Sequence, residues 1–285
     1  MNATDEVTAE ELRDVPPDSK PAGSLPQRWA EGILFVAAWT GLGWALELDP
    51  NAYLLMGVPL TLAFQWYVRG LPTRAMWIRD VPSFGRIWMI PTVLLGALPA
   101  VFLVVALIYR QWAIAGWMLA AIAGSVGAGY CLTHLRRAIV RPFVMCQVTA
   151  GLMGVGMMIM MRANSAVQRP IQPFVGLHNF FLFFPVCFAL EEVSFRGMLD
   201  SHLHRPGDRF GLTSALLGSM LWGLWHLPTL PVADRTLEGA CLLMVVHALL
   251  GVPLATYWRQ SGNLVVPAFT HAMVDAVRDM LVPAG

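Results

Sequence analysis

A succession of apolar blocks, each long enough to cross a bilayer, constrains this chain more than any other feature. A hydrocarbon core of about 30 Å takes about 20 helical residues. Nine blocks approach that length, at roughly 30–48, 52–68, 87–108, 112–134, 139–161, 174–203, 210–229, 236–257 and 263–282. The second is the shortest and also fits a re-entrant segment, so eight spans is the alternative count. A soluble core cannot bury all of these blocks. Only 13% of the residues are charged, against about 25% in a typical soluble domain. A backbone in lipid must satisfy its own hydrogen bonds, and no strand alternation persists. The expected fold is an all-α, polytopic transmembrane bundle. Pro91, Pro99, Pro185, Pro253 and Pro267 lie inside the blocks, where neighbouring helices can satisfy the freed backbone groups.

Residues 1–28 differ in character. They contain six acids and four prolines and no apolar run, so they read as a disordered cytoplasmic tail and not as a signal peptide. Arginines set the expected orientation. They cluster in alternate loops, at Arg69, Arg74, Arg79 and Arg86, then Arg136, Arg137 and Arg141, then Arg205 and Arg209, then Arg259. The other loops are poorer: Glu47 and Asp49; Arg110; Arg162 and Arg169; Asp234, Arg235 and Glu238. This pattern puts the N-terminus in the cytoplasm. A net charge of +1 gives no surface for nucleic acid. The single lysine, Lys20, against eighteen arginines suggests a GC-rich bacterial genome and hence a bacterial plasma membrane. Cys131, Cys146, Cys187 and Cys241 form no CxxC pair and read as small buried hydrophobes.

Against this apolar background the stretch FALEEVSFRG, residues 188–197, is anomalous. A charge at the centre of a span costs about 2.5–3.5 kcal/mol, so Glu191 and Glu192 are candidates for function. Glu192 and Arg196 are four apart, acid first, the favourable order for a helical ion pair. On a helix of 3.6 residues per turn, Glu191 points about 100° away from Glu192. A buried salt bridge that locks helices together is the competing reading of this triplet. Two further polar pairs stand at the same spacing, Trp222 with His226 and His271 with Asp275, each on one helix face. At about 1.5 Å per residue, Glu191 and His226 fall at similar depth. His271 is shallower unless its helix starts deeper or kinks at Pro267. His134, His178 and His247 read as structural.

EEVSFR, WGLWH and HAMVD, in this order on successive spans, resemble the motifs EExxxR, FxxxH and Hxxx[N/D]. These belong to the CAAX-protease and bacteriocin-processing (CPBP, or Abi) family. The resemblance covers roughly residues 174–282. It implies a glutamate-dependent intramembrane endopeptidase, with residues 29–170 as N-terminal transmembrane helices and 171–285 as the catalytic core. Mapped by motif, Glu191 and His226 would activate a water. His271 and Asp275 would stabilise the oxyanion, and Glu192 and Arg196 would hold the site. Trp222, where the family has Phe, would line the substrate cavity with little chemical effect. Asp275 stands where the family often has Asn. An ionised Asp cannot donate a hydrogen bond, so Asp275 either is protonated or orients His271.

The chemistry is coherent on its own terms. Amide hydrolysis needs a deprotonated water, a stabilised oxyanion and a proton for the leaving nitrogen. The resemblance implies no cofactor and no metal. The partners expected are the lipid bilayer and a membrane-associated peptide or protein substrate. Two other readings stay open. Glu191, His226, His271 and Asp275 offer an N/O ligand set for zinc, although no HExxH is present. Intramembrane Glu, His and Asp also line proton or ion pathways in transporters, or persist in a membrane scaffold. Ser219 precedes His226 by seven residues without a GxSG around it, so a serine mechanism is not expected.

Overall fold

A computed structural model describes residues 23–79, 86–163, 170–204 and 211–281. Among these residues the chain forms nine long helical segments, one for each apolar block. Helix α1 (Leu25–Ala45) is capped by Ser24, whose hydroxyl accepts from the Gln27 N–H. It therefore opens inside the stretch expected to be tail, and residues 1–22 of that stretch lie outside the described residues. Helix α2 (Pro50–Ala63) is capped by the Asp49 carboxylate and runs on through a π-helical turn over Phe64–Val68. Then come α3 (Met89–Ile108), α4 (Trp112–Thr133), α5 (Arg137–Ala163) and α6 (Pro173–Leu203). The series ends with α7 (Leu212–Trp225), α8 (Leu237–Ser261) and α9 (Val265–Leu281). The one β-type pairing among the described residues is an isolated bridge between Ile78 and Asn263.

Among the described residues five helices are long and apolar enough to cross a membrane: α3, α4, α5, α6 and α8. The other four are shorter or more polar. Helix α3 turns Val93, Leu94, Val101 and Val104 outward, as a lipid-facing helix should. Cys241 on α8 is exposed, which corrects the expectation that all four cysteines are buried. Its surroundings are apolar, beside Met244 and Val245, so the residue suits a lipid-facing surface.

Helix α6 is the axis of the bundle. Its second half, Phe188–Asp200, is a π-helix, with a wider turn than the α-helix because its bonds run i→i+5. Nearly every residue of this stretch is buried. Small residues allow the approach of its neighbours. A Cβ on Gly124 of α4 would strike the Pro185 carbonyl, and one on Gly32 of α1 would meet Leu199 and Leu203. The Thr61 and Ser194 hydroxyls bond at 2.8 Å between α2 and α6. Trp39, Phe195 and Trp225 pack together, with Trp39 and Trp225 edge to face at 4.9 Å between centroids.

One end of the bundle is tied together by polar contacts between loops. Arg79 N–H donates to the Gly262 carbonyl at 3.0 Å, and Leu264 N–H donates to the Trp77 carbonyl at 3.0 Å. The Asn263 side chain donates to the Cys131 carbonyl at 2.9 Å. Gly262 takes φ +61° to end α8, a left-handed conformation that glycine adopts without steric cost. At the same end Arg259 grips Asp200 through two hydrogen bonds, at 2.9 and 2.5 Å. Arg28 of α1 donates to the carbonyls of His202 and His204.

Candidate active site

Three helices bring the sequence-selected polar residues together, and a fourth lies against them. Helix α6 supplies Glu191, Glu192 and Arg196, α7 ends at the Trp222–His226 pair, and α9 supplies His271 and Asp275. The wide turn of α6 places successive side chains less than an α-helix's 100° apart. Glu191 and Glu192 therefore diverge less than expected from sequence and flank the same histidine. Helix α8 comes close because Gly223 lies against the backbone of Leu243 and Met244, and this brings in His247.

The contacts centre on one oxygen. Glu191 Oε2 accepts from Trp222 Nε1 at 3.0 Å. It also lies 3.7 Å from His226 Nε2 and 3.9 Å from His271 Nε2. Both imidazole distances are too long for a direct hydrogen bond, and a water lying beside the three atoms would be within reach of all of them. His226 Nδ1 donates to the Trp222 carbonyl at 2.9 Å. A carbonyl can only accept, so Nδ1 carries the proton and Nε2 keeps a lone pair towards Glu191. Beyond the place expected for it in the cavity wall, Trp222 holds Glu191 through its N–H.

His271 stands between carboxylates. Nδ1 bonds Glu192 Oε1 at 2.8 Å, while Nε2 faces Glu191 and lies 3.6 Å from Asp275 Oδ2. Glu192 is fully buried, and Arg196 NH1 lies 3.4 Å from the same Oε1. The expected Glu192–Arg196 pair is thus present, but the shorter contact of Glu192 is to His271. The Arg196 guanidinium lies over the Trp222 ring, 3.9 Å from its centroid, a cation–π arrangement. Asp275 Oδ1 accepts from Arg278 at 3.0 Å, and Asp275 Oδ2 accepts from the Cys187 thiol at 3.4 Å. An arginine partner suits an ionised Asp275 that orients His271.

Three of these neighbours escape a reading of the sequence. Cys187 is four residues before Glu191 and Arg278 is three after Asp275, so helical spacing carries a signal for both. His247 gives no such signal. Its ring lies 4.3 Å from that of His226 and packs edge-on to Trp222 at 4.6 Å.

The depth problem posed by His271 has a structural answer. Asn263 and Leu264 are buried, held by the Cys131 and Trp77 carbonyls. Helix α9 therefore begins below the end of the bundle, and six residues suffice to reach the level of Glu191.

The site can polarise a water between one carboxylate and two imidazoles, in surroundings mostly closed to solvent. The Glu191 side chain is 15% exposed and that of His226 is 24% exposed, so a narrow approach remains. No curated protein and no solved structure matches the chain. Residues 170–277 match the family described as Rce1-like, type II CAAX prenyl endopeptidase. That region contains every residue of the site named above except Arg278. Residues 170–277 are therefore an Rce1-like domain.

Proposed function

We propose that this protein is an intramembrane endopeptidase that cleaves a membrane-associated peptide or protein with a water activated by Glu191 and His226. The observation that carries the reading is the position of Glu191 Oε2, within 4 Å of both His226 Nε2 and His271 Nε2. The water bridges Glu191 and His226 and loses a proton to that pair. Its oxygen attacks the scissile carbonyl. The oxyanion forms beside His271, which Glu192 and Asp275 support as an imidazolium. The proton held by Glu191 and His226 passes to the leaving nitrogen as the C–N bond breaks. Arg196 offsets the charge of Glu192, and Trp222 keeps Glu191 aimed. No metal or cofactor enters this scheme.

The narrow approach and the lipid-facing helices favour a substrate presented from the membrane, as a tethered or spanning peptide. The arginine distribution favours a cytoplasmic N-terminus, and the composition favours a bacterial plasma membrane. The test compares membrane and medium protein termini in wild-type cells and in a chromosomal Glu191→Gln strain, with the variant shown to be present. Specific processed termini should vanish while their precursors accumulate. Unchanged termini would remove the hydrolytic reading and favour a transporter or scaffold.

A further inference from the structure

Cys187 has no place in the hydrolytic scheme, yet its thiol points into the site. One ligand atom each from Cys187, Glu191, His271 and Asp275 lies within 4.8 Å of the others. Three of the separations are 3.4 Å (Cys187 Sγ to Asp275 Oδ2), 3.6 Å (His271 Nε2 to Asp275 Oδ2) and 3.9 Å (His271 Nε2 to Glu191 Oε2). A tetrahedral zinc site with bonds of about 2.0–2.3 Å has edges of about 3.3–3.6 Å. Small side-chain movements would close the set.

The groups behind these ligands are arranged as around a metal. His271 Nδ1 bonds Glu192 Oε1 at 2.8 Å, which directs Nε2 inward, the usual carboxylate–histidine–metal arrangement. Trp222 Nε1 orients Glu191, and Arg278 holds the far oxygen of Asp275. Three anionic ligands and a dication leave one negative charge, which Arg278 offsets. A thiolate, an imidazole and two carboxylates suit a borderline-soft cation such as zinc, not magnesium or calcium.

We propose that Cys187, Glu191, His271 and Asp275 form a zinc-class binding site that inhibits the enzyme when filled. Four protein ligands complete a tetrahedron and leave no position for water, unlike catalytic zinc sites, which keep one open. The ion would also take up Glu191 Oε2, the carboxylate oxygen that the hydrolytic scheme assigns to activating the water. On binding, the thiol proton of Cys187 and the Nε2 proton of His271 pass to solvent, since ligands bind deprotonated. The inhibitory part of this inference rests on the hydrolytic reading above, whereas the binding part does not.

The experiment uses the purified full-length protein in detergent and Co²⁺ as a spectroscopic stand-in for zinc. Wild type should bind one equivalent and show a sulfur-to-cobalt charge-transfer band. Cys187→Ser should lose the band and bind at least about tenfold more weakly, while Cys241→Ser keeps both. With substrate, micromolar zinc should suppress cleavage by wild type, and Cys187→Ser, measured against its own zinc-free rate, should show at least tenfold lower zinc sensitivity. Absence of the band in wild type, or its survival in Cys187→Ser, would overturn the site. Loss of cleavage on chelation with recovery on adding zinc would overturn its inhibitory role. If Glu191→Gln cleaves like wild type, the hydrolytic reading fails, and the cobalt spectra still decide the binding site.

Discussion

Trp222 shows how one atom changes the meaning of a residue. From sequence this ring is expected to line the substrate cavity with little chemical effect, and in the structure its Nε1–H also holds Glu191 at 3.0 Å. A hydrogen bond to a charged group contributes about 1.5–3 kcal/mol. Trp222→Phe should preserve the ring contacts with Phe195 and His271 and lower kcat/KM by about tenfold to a hundredfold, with thermal stability nearly unchanged. Steady-state kinetics beside a melting curve would check both halves. Asp275 is the second case. Its departure from the family's frequent Asn coincides with Arg278 at 3.0 Å, a partner that a neutral amide would not need. Arg278→Gln should therefore impair cleavage more than the double variant Asp275→Asn/Arg278→Gln. The double-mutant cycle should return a coupling of about 0.5–3 kcal/mol. Additive effects would mean that Arg278 does not serve Asp275.

At the scale of elements, the residue spacings predict the partners but not the shape of the helix that carries them. Glu192 and Arg196, four apart, do meet at 3.4 Å, because the side chains are long enough to span a widened turn. The π-helix over Phe188–Asp200 leaves no mark in an apolar pattern, since both helix types bury such a stretch. The buried start of α9 was equally illegible. It depends on Asn263 reaching a carbonyl 132 residues away, a contact no local pattern encodes. His247 enters the site for the same kind of reason, through the close approach of α7 and α8 at Gly223. Close approach also gives a test of the scaffold. Gly124 lies against the backbone of Pro185, three residues before the π-helical stretch begins, where a side chain has no room to shift its neighbour. Gly124→Val should force α4 from α6 and destabilise the protein by about 1–3 kcal/mol, lowering the melting temperature in detergent. Gly156→Val, at a position with open space around it, is the control and should melt like wild type.

For the whole molecule, the nine apolar blocks and the arginine pattern made the class of fold legible, and contacts between loops extend that reading. The loops containing Arg79 and Arg136 and the last turn of α8, with Arg259, meet at one end of the bundle. Arg79 bonds Gly262, Asn263 bonds Cys131 at the end of α4, and Arg259 bonds Asp200. Arg28 at the start of α1 joins the same end through the carbonyls of His202 and His204. Among the described residues Glu47, Asp49, Arg110 and Asp234 fall at the other ends of these helices. Helix α4 alone, with 22 residues, separates Gln111 from Arg136 by about 33 Å, enough to span the hydrocarbon core. If arginines mark the cytoplasmic side, the end bearing Arg28, Arg79, Arg136 and Arg259 faces the cytoplasm. Single cysteines can test this in a Cys241→Ser background, since the other three native thiols are buried. In right-side-out vesicles a membrane-impermeant maleimide should label Gln111→Cys and spare Arg136→Cys, and inverted vesicles should reverse the result. Labelling of Arg136→Cys from outside would reverse the orientation. The peptide bond would then be reached from the opposite side, because His226 lies at the end of α7 away from the arginine-rich face.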